Sequence, residues 1–337
     1  MAVSITDVAR RAGVSPGTVS HVLNGNTRAG IAPATQERVR RAAAELGYQP
    51  NRMARMLGRG RTDTLGLFIS GLTNPFFVRI LECAERLALE AGYHVLMETA
   101  PHYLGSPLHK AKLRGWPMDG ALMWAQPDQT LAHYLGSQAD GMPVVYLGGQ
   151  PRSDGANAVY FDVYGGAQAA MRLLIERGYR RIAYLFPYDW VLRQPEEPRH
   201  CAYREACEAV GLVPHLILMD RHEQTRRAGL EAGLSLARLA DGERPEALLC
   251  FNDVIAEGVL FGLRRAGLRC PEDVALVGFD GNDDARYLDT PLTTVSMPTE
   301  RLCQEALDLL LRRLREGADA PSAQILVPSE LIIGESA

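Results

Sequence analysis

The stretch VARRAGVSPGTVSHVLNG, residues 8–25, decides how the N-terminal part of this chain folds. Upstream of it, Ser4-Ile5-Thr6-Asp7 has the form of a capping box, with Ser4 as the cap and Asp7 near the positive end of a helix. Val8, Ala9 and Ala12 supply a small inward face, and Gly13 ends the helix because a left-handed residue costs least as glycine. Val14 plugs the turn. Ser15-Pro16 is a second start signal: a capping side chain, then a proline where its missing N–H does no harm. Val19, Val22 and Leu23 recur at helical spacing and pack on the first helix. Two short helices joined by a tight glycine turn make a helix-turn-helix, with the second helix presented to the major groove of DNA.

Working outward, the pattern predicts a third helix from Pro33 to Leu46, with Val39, Ala43 and Leu46 inward and Gly47 as its stop. PNRMARML, residues 50–57, is a helix too short to hold itself together alone. GRGRT after it is a flexible basic linker. A marginal helix of this kind suits a segment that orders on DNA and pushes Leu57 between base steps. The charge agrees. Residues 1–61 hold ten arginines and no lysine against Asp7, Glu37 and Glu45, although the whole chain carries a net −4. A basic head on an acidic body points to a polyanionic partner for the head alone.

The 337 residues can bury a large core and suggest two or three domains. No run approaches the ~18 apolar residues of a membrane span, so no membrane partner is expected. The N-terminus has no apolar core of a secretion signal, and a cytoplasmic location is expected. Cys83, Cys201, Cys207, Cys250, Cys270 and Cys303 form neither a CxxC pair nor a metal-like group. They read as buried free thiols, and neither a metal nor another cofactor is expected.

After Thr64 the pattern changes. LGLFIS, HVLMETA, GALMWA and PVVYLGG are short buried-type strands, and RIAYLF, LVPHLILMD, EALLCFND and DVALVGFDG repeat the theme. Helical stretches separate them, at 75–92 (with Val78, Leu81, Ala84, Leu87 and Ala88 on one face), 165–178 and 254–267. Repeated β-α units argue an α/β fold with doubly wound parallel sheets, and two sets of four or five strands argue two lobes facing a cleft. Strand ends with polar or aromatic groups are then candidate cleft residues: Ser70 with residues 74–77, Trp124, Asp162, Asn252, Asp253 and Asp280. Each polar end has an alternative reading as a helix cap, and Trp124 one as core filling.

TDVARRAGVSPGTVSHVLNG, with AELGYQPNRMARML behind it, resembles the head of the LacI/GalR-type (lactose/galactose/purine repressor) transcriptional regulator family. NPFF, DVYGG, VGFDG and PLTTVSMP resemble its periplasmic-binding-protein-like effector domain. The resemblance implies a helix-turn-helix head over 1–49, a hinge helix and linker over 50–63, and an effector-binding and dimerisation domain over 64–337. Lobe 1 would take 64–162 and 296–324, and lobe 2 163–295 and 325–337. It implies base edges read from Pro16, Gly17 and His21, with Thr6, Ser15, Thr18, Ser20, Asn24 and Asn51 at or near the backbone. Because Ala32 stands where the family often has a capping Ser or Thr, some phosphate contacts are expected from Arg28 or from Thr35 instead. Ala54, Arg55 and Leu57 match the hinge helix, whose leucine kinks the operator. In the cleft it implies Asp280 as acceptor for ligand hydroxyl or ring N–H groups, and Arg199 as the arginine that pins the effector from the second lobe. Phe76 or Phe77 with Trp124 would offer ring faces. The chain departs from the family in a longer 25–30 loop, in Ala32 at the cap of the third helix, and in the long 187–198 loop. That loop reads either as a lid with Trp190 as its anchor or as a disordered insertion, and it carries Arg193 as a rival to Arg199.

No catalytic constellation is present: GxxxxGK, HExxH, and GxGxxG or GxSxG after a strand, are all missing. A transport-type solute-binding protein would share the body but predicts a secretion signal and no basic head. The expectation is therefore a homodimeric DNA-binding regulator, not an enzyme. Its partners are a near-palindromic double-stranded operator and a small-molecule effector, a sugar first and a purine-like metabolite as the alternative. The dimer face is expected on residues 77–89 of the first lobe together with a matching second-lobe surface.

Overall fold

The computed structural model describes residues 3–23, 30–48, 61–69, 71–99, 117–124, 141–152, 154–187, 196–219, 225–317 and 321–337. The chain divides into two units, Met1–Thr62 and Asp63–Ala337.

The first unit holds α1 (Ile5–Ala12), α2 (Pro16–Leu23) and α3 (Pro33–Glu45). The capping box forms: Ser4 Oγ accepts from Asp7 N (3.3 Å), and Asp7 Oδ2 accepts from Ser4 N (3.0 Å). Donation to the Asp7 carboxylate from the Ser4 hydroxyl (2.6 Å), and then from the Ser4 backbone N–H, holds that carboxyl below its usual range. Gly13 stops α1 at φ 66°, the left-handed geometry a bulkier residue resists. Val8, Ala9 and Ala12 meet Val19 and Val22 of α2 and Val39, Ala42 and Ala43 of α3 in one small core.

The second unit contains two six-stranded sheets. The first runs β11-β5-β4-β3-β1-β2, from β1 (Thr64–Ile69), β2 (His94–Thr99), β3 (Gly120–Trp124), β4 (Val144–Gly148), β5 (Ala158–Phe161) and β11 (Gln324–Val327), all parallel. The second runs β12-β10-β9-β8-β6-β7, from β6 (Ile182–Pro187), β7 (His215–Met219), β8 (Ala247–Cys250), β9 (Ala275–Asp280), β10 (Thr293–Ser296) and β12 (Glu330–Ile332). Only its β10–β12 pair is antiparallel. The first lobe carries α4 (Pro75–Glu90) and α9 (Thr299–Glu316); the second carries α5 (Val163–Glu176), α6 (Pro198–Ala209), α7 (Arg226–Leu236) and α8 (Asp253–Arg265).

The chain crosses between lobes after β5, after β10 and after β11. The lobe boundaries expected at 296 and 324 therefore move. Ser296 pairs with Asp280 in the second sheet, and residues 324–327 lie beside β5 in the first, register Gln324↔Ala158 to Val327↔Phe161. The inward face of α4 also differs from expectation. Ile80 is fully buried and Val78 and Leu81 are half-buried, because the first turn drives Phe76 and Phe77 into the core and sets the helix rotation.

In the second lobe α7 and α8 pack main chain against main chain. A Cβ on Gly229 would lie 2.2 Å from Ile255 O, on Gly233 2.6 Å from Val259 O, and on Gly262 2.7 Å from Leu230 O. Glycine at 229, 233, 258 and 262 is what lets these helices meet.

Candidate functional site

Each sheet reverses its winding beside its first strand, between β1 and β3 and between β6 and β8. In open α/β sheets that reversal leaves a crevice at the carboxyl ends of the strands, where ligands bind. Among the described residues, the predicted cleft residues sit at such ends or in the helix turns that follow them.

On the first lobe Trp124 ends β3 and is half-buried. It meets Phe76 and Phe77 edge-on, each at 5.3 Å between centroids, and Phe161 at 6.5 Å. Phe76 and Phe77 are 2% and 8% exposed. The expectation that one of them offers its face to a ligand is corrected to a backing role: they are core, and they fix the ring of Trp124. Asp162 caps α5, its Oδ1 accepting from Gly165 N at 2.8 Å.

On the second lobe Arg199 lies in the first turn of α6. Its Nε donates to Glu197 Oε1 (2.6 Å) and its Nη1 to Phe251 O (2.7 Å), while the guanidinium lies 3.7 Å over the Phe251 ring. Glu197, itself buried, also accepts from Tyr184 OH (3.2 Å) and His200 N (2.9 Å), so the arginine is held in a fixed pose. Asp280 ends β9 with φ at 108°, a strained value for a residue with a Cβ. Its Oδ2 accepts from Asn74 Nδ2 of the first lobe at 2.7 Å. Burial pushes its carboxyl up to about 7, against the opposing effects of the Asn74 hydrogen bond and the charges of Arg199 and Arg79.

Asn252 and Asp253 serve the second lobe itself. Asn252 caps α8 through Ile255 N (2.9 Å) and is 2% exposed. Asp253 is fully buried: Oδ2 accepts from Asn282 N (2.7 Å) and Oδ1 from Thr294 Oγ1 (2.6 Å). A Cβ at position 278 would lie 2.2 Å from that Oδ1, so Gly278 makes the room Asp253 occupies. Burial, with the charge of Asp280 added, drives the Asp253 carboxyl well above the ordinary carboxylate range. The placement of Asp253 on the cleft wall is thus corrected: it braces the loop that carries Asp280. Asn74 falls in the 74–77 stretch named among the cleft candidates, whereas Arg79 escaped the sequence reading. Ser70, Trp190 and Arg193 lie outside the described residues.

In the head, Pro16, Gly17 and His21 lie on the exposed side of α2, opposite Val19 and Val22. Ser15 Oγ accepts from Thr18 N at 3.1 Å and lies 3.0 Å from Thr18 Oγ1, so this hydroxyl pair sets the start of α2. Thr6 is exposed and Thr18, Ser20 and Thr35 are half-buried. Ala32 provides no side-chain cap to α3; Gln36 Nε2 instead donates to Ile31 O at 2.8 Å. Asn24, Arg28, Asn51, Ala54, Arg55 and Leu57 lie outside the described residues.

Residues 4–51 match the bacterial regulatory proteins, lacI family, and residues 171–337 match a periplasmic binding protein-like domain. The HTH-type transcriptional repressor PurR of Photobacterium profundum is 31% identical over 315 residues, 93% of this chain and 92% of the relative. The ribose operon repressor of Escherichia coli (strain K12) is 31% identical over 318 residues, 93% of each. Among solved structures, a complex of the transcriptional regulator CelR with cellobiose is 30% identical with a TM-score of 0.68, covering 99% of this chain and 100% of that one. The Lac repressor dimer bound to operator and an anti-inducer shares the fold at a TM-score of 0.83 and 23% identity, over 100% and 99%. A helix-turn-helix head, a two-lobed body and relatives of this identity along nearly the whole length lead to one conclusion: the chain belongs to the lacI family of bacterial regulatory proteins.

Proposed function

We propose that this chain is a transcriptional repressor that binds a near-palindromic operator as a homodimer and changes its operator affinity when a small molecule enters the cleft. The observation that carries the reading is that Trp124 ends a strand of the first lobe while Asp280 ends a strand and Arg199 starts a helix of the second, with Asp280 hydrogen-bonded to Asn74 of the first lobe, in a chain that also bears an exposed recognition helix. A carboxylate, a fixed guanidinium and an aromatic wall suit a polyhydroxylated ring: hydroxyls bond the two charges, and the apolar ring face lies on the indole. A sugar is therefore the proposed effector. A purine-like metabolite is the second reading, favoured by the PurR relatives. An operator-binding protein works where the chromosome is, in the cytoplasm. The role is binding; no step of catalysis is assigned to it. Leu89, Phe261 and Tyr287, at 62%, 47% and 80% exposed, are large apolar groups suited to subunit contacts.

Two measurements on the full chain test this. Selection from randomised duplexes should enrich an inverted repeat with half-sites about one helical turn apart; enrichment of no sequence would sink the operator reading. A thermal-shift series with ribose, cellobiose, lactose and nucleobases should raise the melting temperature for one class, and Asp280→Ala should abolish that rise.

A further inference from the structure

Helix α4 reaches from the first lobe and binds the loop that ends β9 in the second. Asn74, 8% exposed, commits its whole amide there: Oδ1 accepts from Phe76 N (3.0 Å) and Asn282 Nδ2 (3.2 Å), and Nδ2 donates to Asp280 Oδ2 (2.7 Å). Farther along α4, Arg79 donates from Nη1 to Gly281 O (2.8 Å) and from Nη2 to Asp280 O (2.8 Å) and Asn282 Oδ1 (3.4 Å). One guanidinium thus collects two consecutive carbonyls.

The receiving loop is preset. Asp280 and Gly281 both have positive φ, at 108° and 61°. Gly281 N donates to Thr294 Oγ1 (3.3 Å), and Asn282 N to the buried Asp253. Arg79 in turn gives up hydration to reach it, since its Nε is buried without a partner. An arginine on an open helix face keeps that group in water, so the contacts at the guanidinium tip hold the side chain in place.

We propose that Asn74 and Arg79 form a clasp that closes the two lobes through protein groups alone, with Asp280 as the element it shares with the effector. Arg79 grips main-chain carbonyls and makes no hydrogen bond to the Asp280 carboxylate. Asn74 grips the carboxylate itself. An effector on Asp280 therefore re-aims Asn74 while Arg79 maintains closure, and apparent effector affinity follows the closed fraction that the clasp sets. The sharing of Asp280 rests on the functional reading above; the clasp does not.

The test uses the full chain without effector or DNA. Spin labels at Glu316→Cys on the first lobe and Val213→Cys on the second, both exposed, are placed in a background with Cys83, Cys201 and Cys270 changed to serine. Labelled chain is diluted with unlabelled chain, and the distance is read by pulsed dipolar spectroscopy. The intact clasp should give one narrow distribution. Arg79→Met should move the closed-to-open ratio by about tenfold or more, the scale of lost charged hydrogen bonds, and add a separate distance. Asn74→Ser keeps a capping oxygen for α4 but withdraws the amide that donates to Asp280, and should open the lobes likewise. Retention of the narrow distribution by either folded variant overturns the clasp. That result would leave the repressor reading untouched, because neither ligand enters the measurement.

Discussion

At the scale of single residues, the cleft is organised around two acids with different tasks. Asp280, 4% exposed, meets Asn74 of the first lobe, and Asp253 lies behind it under Gly278. The native Asp280 carboxyl titrates near 7 against an ordinary value of 3.8. Between those values the folded chain holds a proton that the unfolded chain has lost, so stability should fall as pH rises from about 4 to about 7. Asp253 contributes with the same sign. Asp280→Asn cannot titrate yet keeps an oxygen at the site, so urea midpoints at pH 5 and pH 7.5 should differ less in the variant than in the parent. Equal differences would remove the shift. The sequence shows that apolar strands end in acids here, and that much was legible from LCFND and VGFDG. Which acid faces the cleft was not legible, because it depends on a missing Cβ two residues upstream of Asp280 and on the φ of Asp280 itself.

At the scale of elements, local chemistry carries the head and tertiary contact carries the body. Ser4, Gly13, Ser15-Pro16 and Gly47 each do locally what their residue types favour, so α1, α2 and α3 could be read with their ends. Ser4→Ala removes the side-chain half of the capping box, leaving the Asp7 carboxylate on the backbone N–H of residue 4, and should cost the head ~1 kcal/mol, seen as a lower melting temperature of its helical signal. An unchanged melting point would show that tertiary packing alone holds α1. The strands that escaped the reading, β5, β10, β11 and β12, have three or four residues apiece. A run that short carries little periodicity of its own. QILV becomes a strand because β5 offers it an open edge, a fact about chain return rather than composition. Arg79 was hidden for a similar reason: its partners lie more than 200 residues away.

At the scale of the whole molecule, the two units have separate cores and should unfold separately. At about 0.7 kcal/mol per residue, calorimetry of the full chain should show unfolding enthalpies of roughly 40 and 190 kcal/mol for the head and the body. Selected operator duplex should raise only the smaller transition, and an effector only the larger. A single merged transition would mean that the units stabilise one another directly. Within the body, the glycine seam between α7 and α8 bears on how a signal travels. Helices that touch through side chains have slack, since rotamers absorb a small displacement before the neighbour feels it. Here the main chain of one helix rests on the main chain of the other, and that slack is gone. Helix α8 begins at Asp253, which grips the loop holding Asp280. A shift at the cleft mouth therefore reaches the outer side of α7 undiminished, and the second lobe answers its ligand as a lever without backlash.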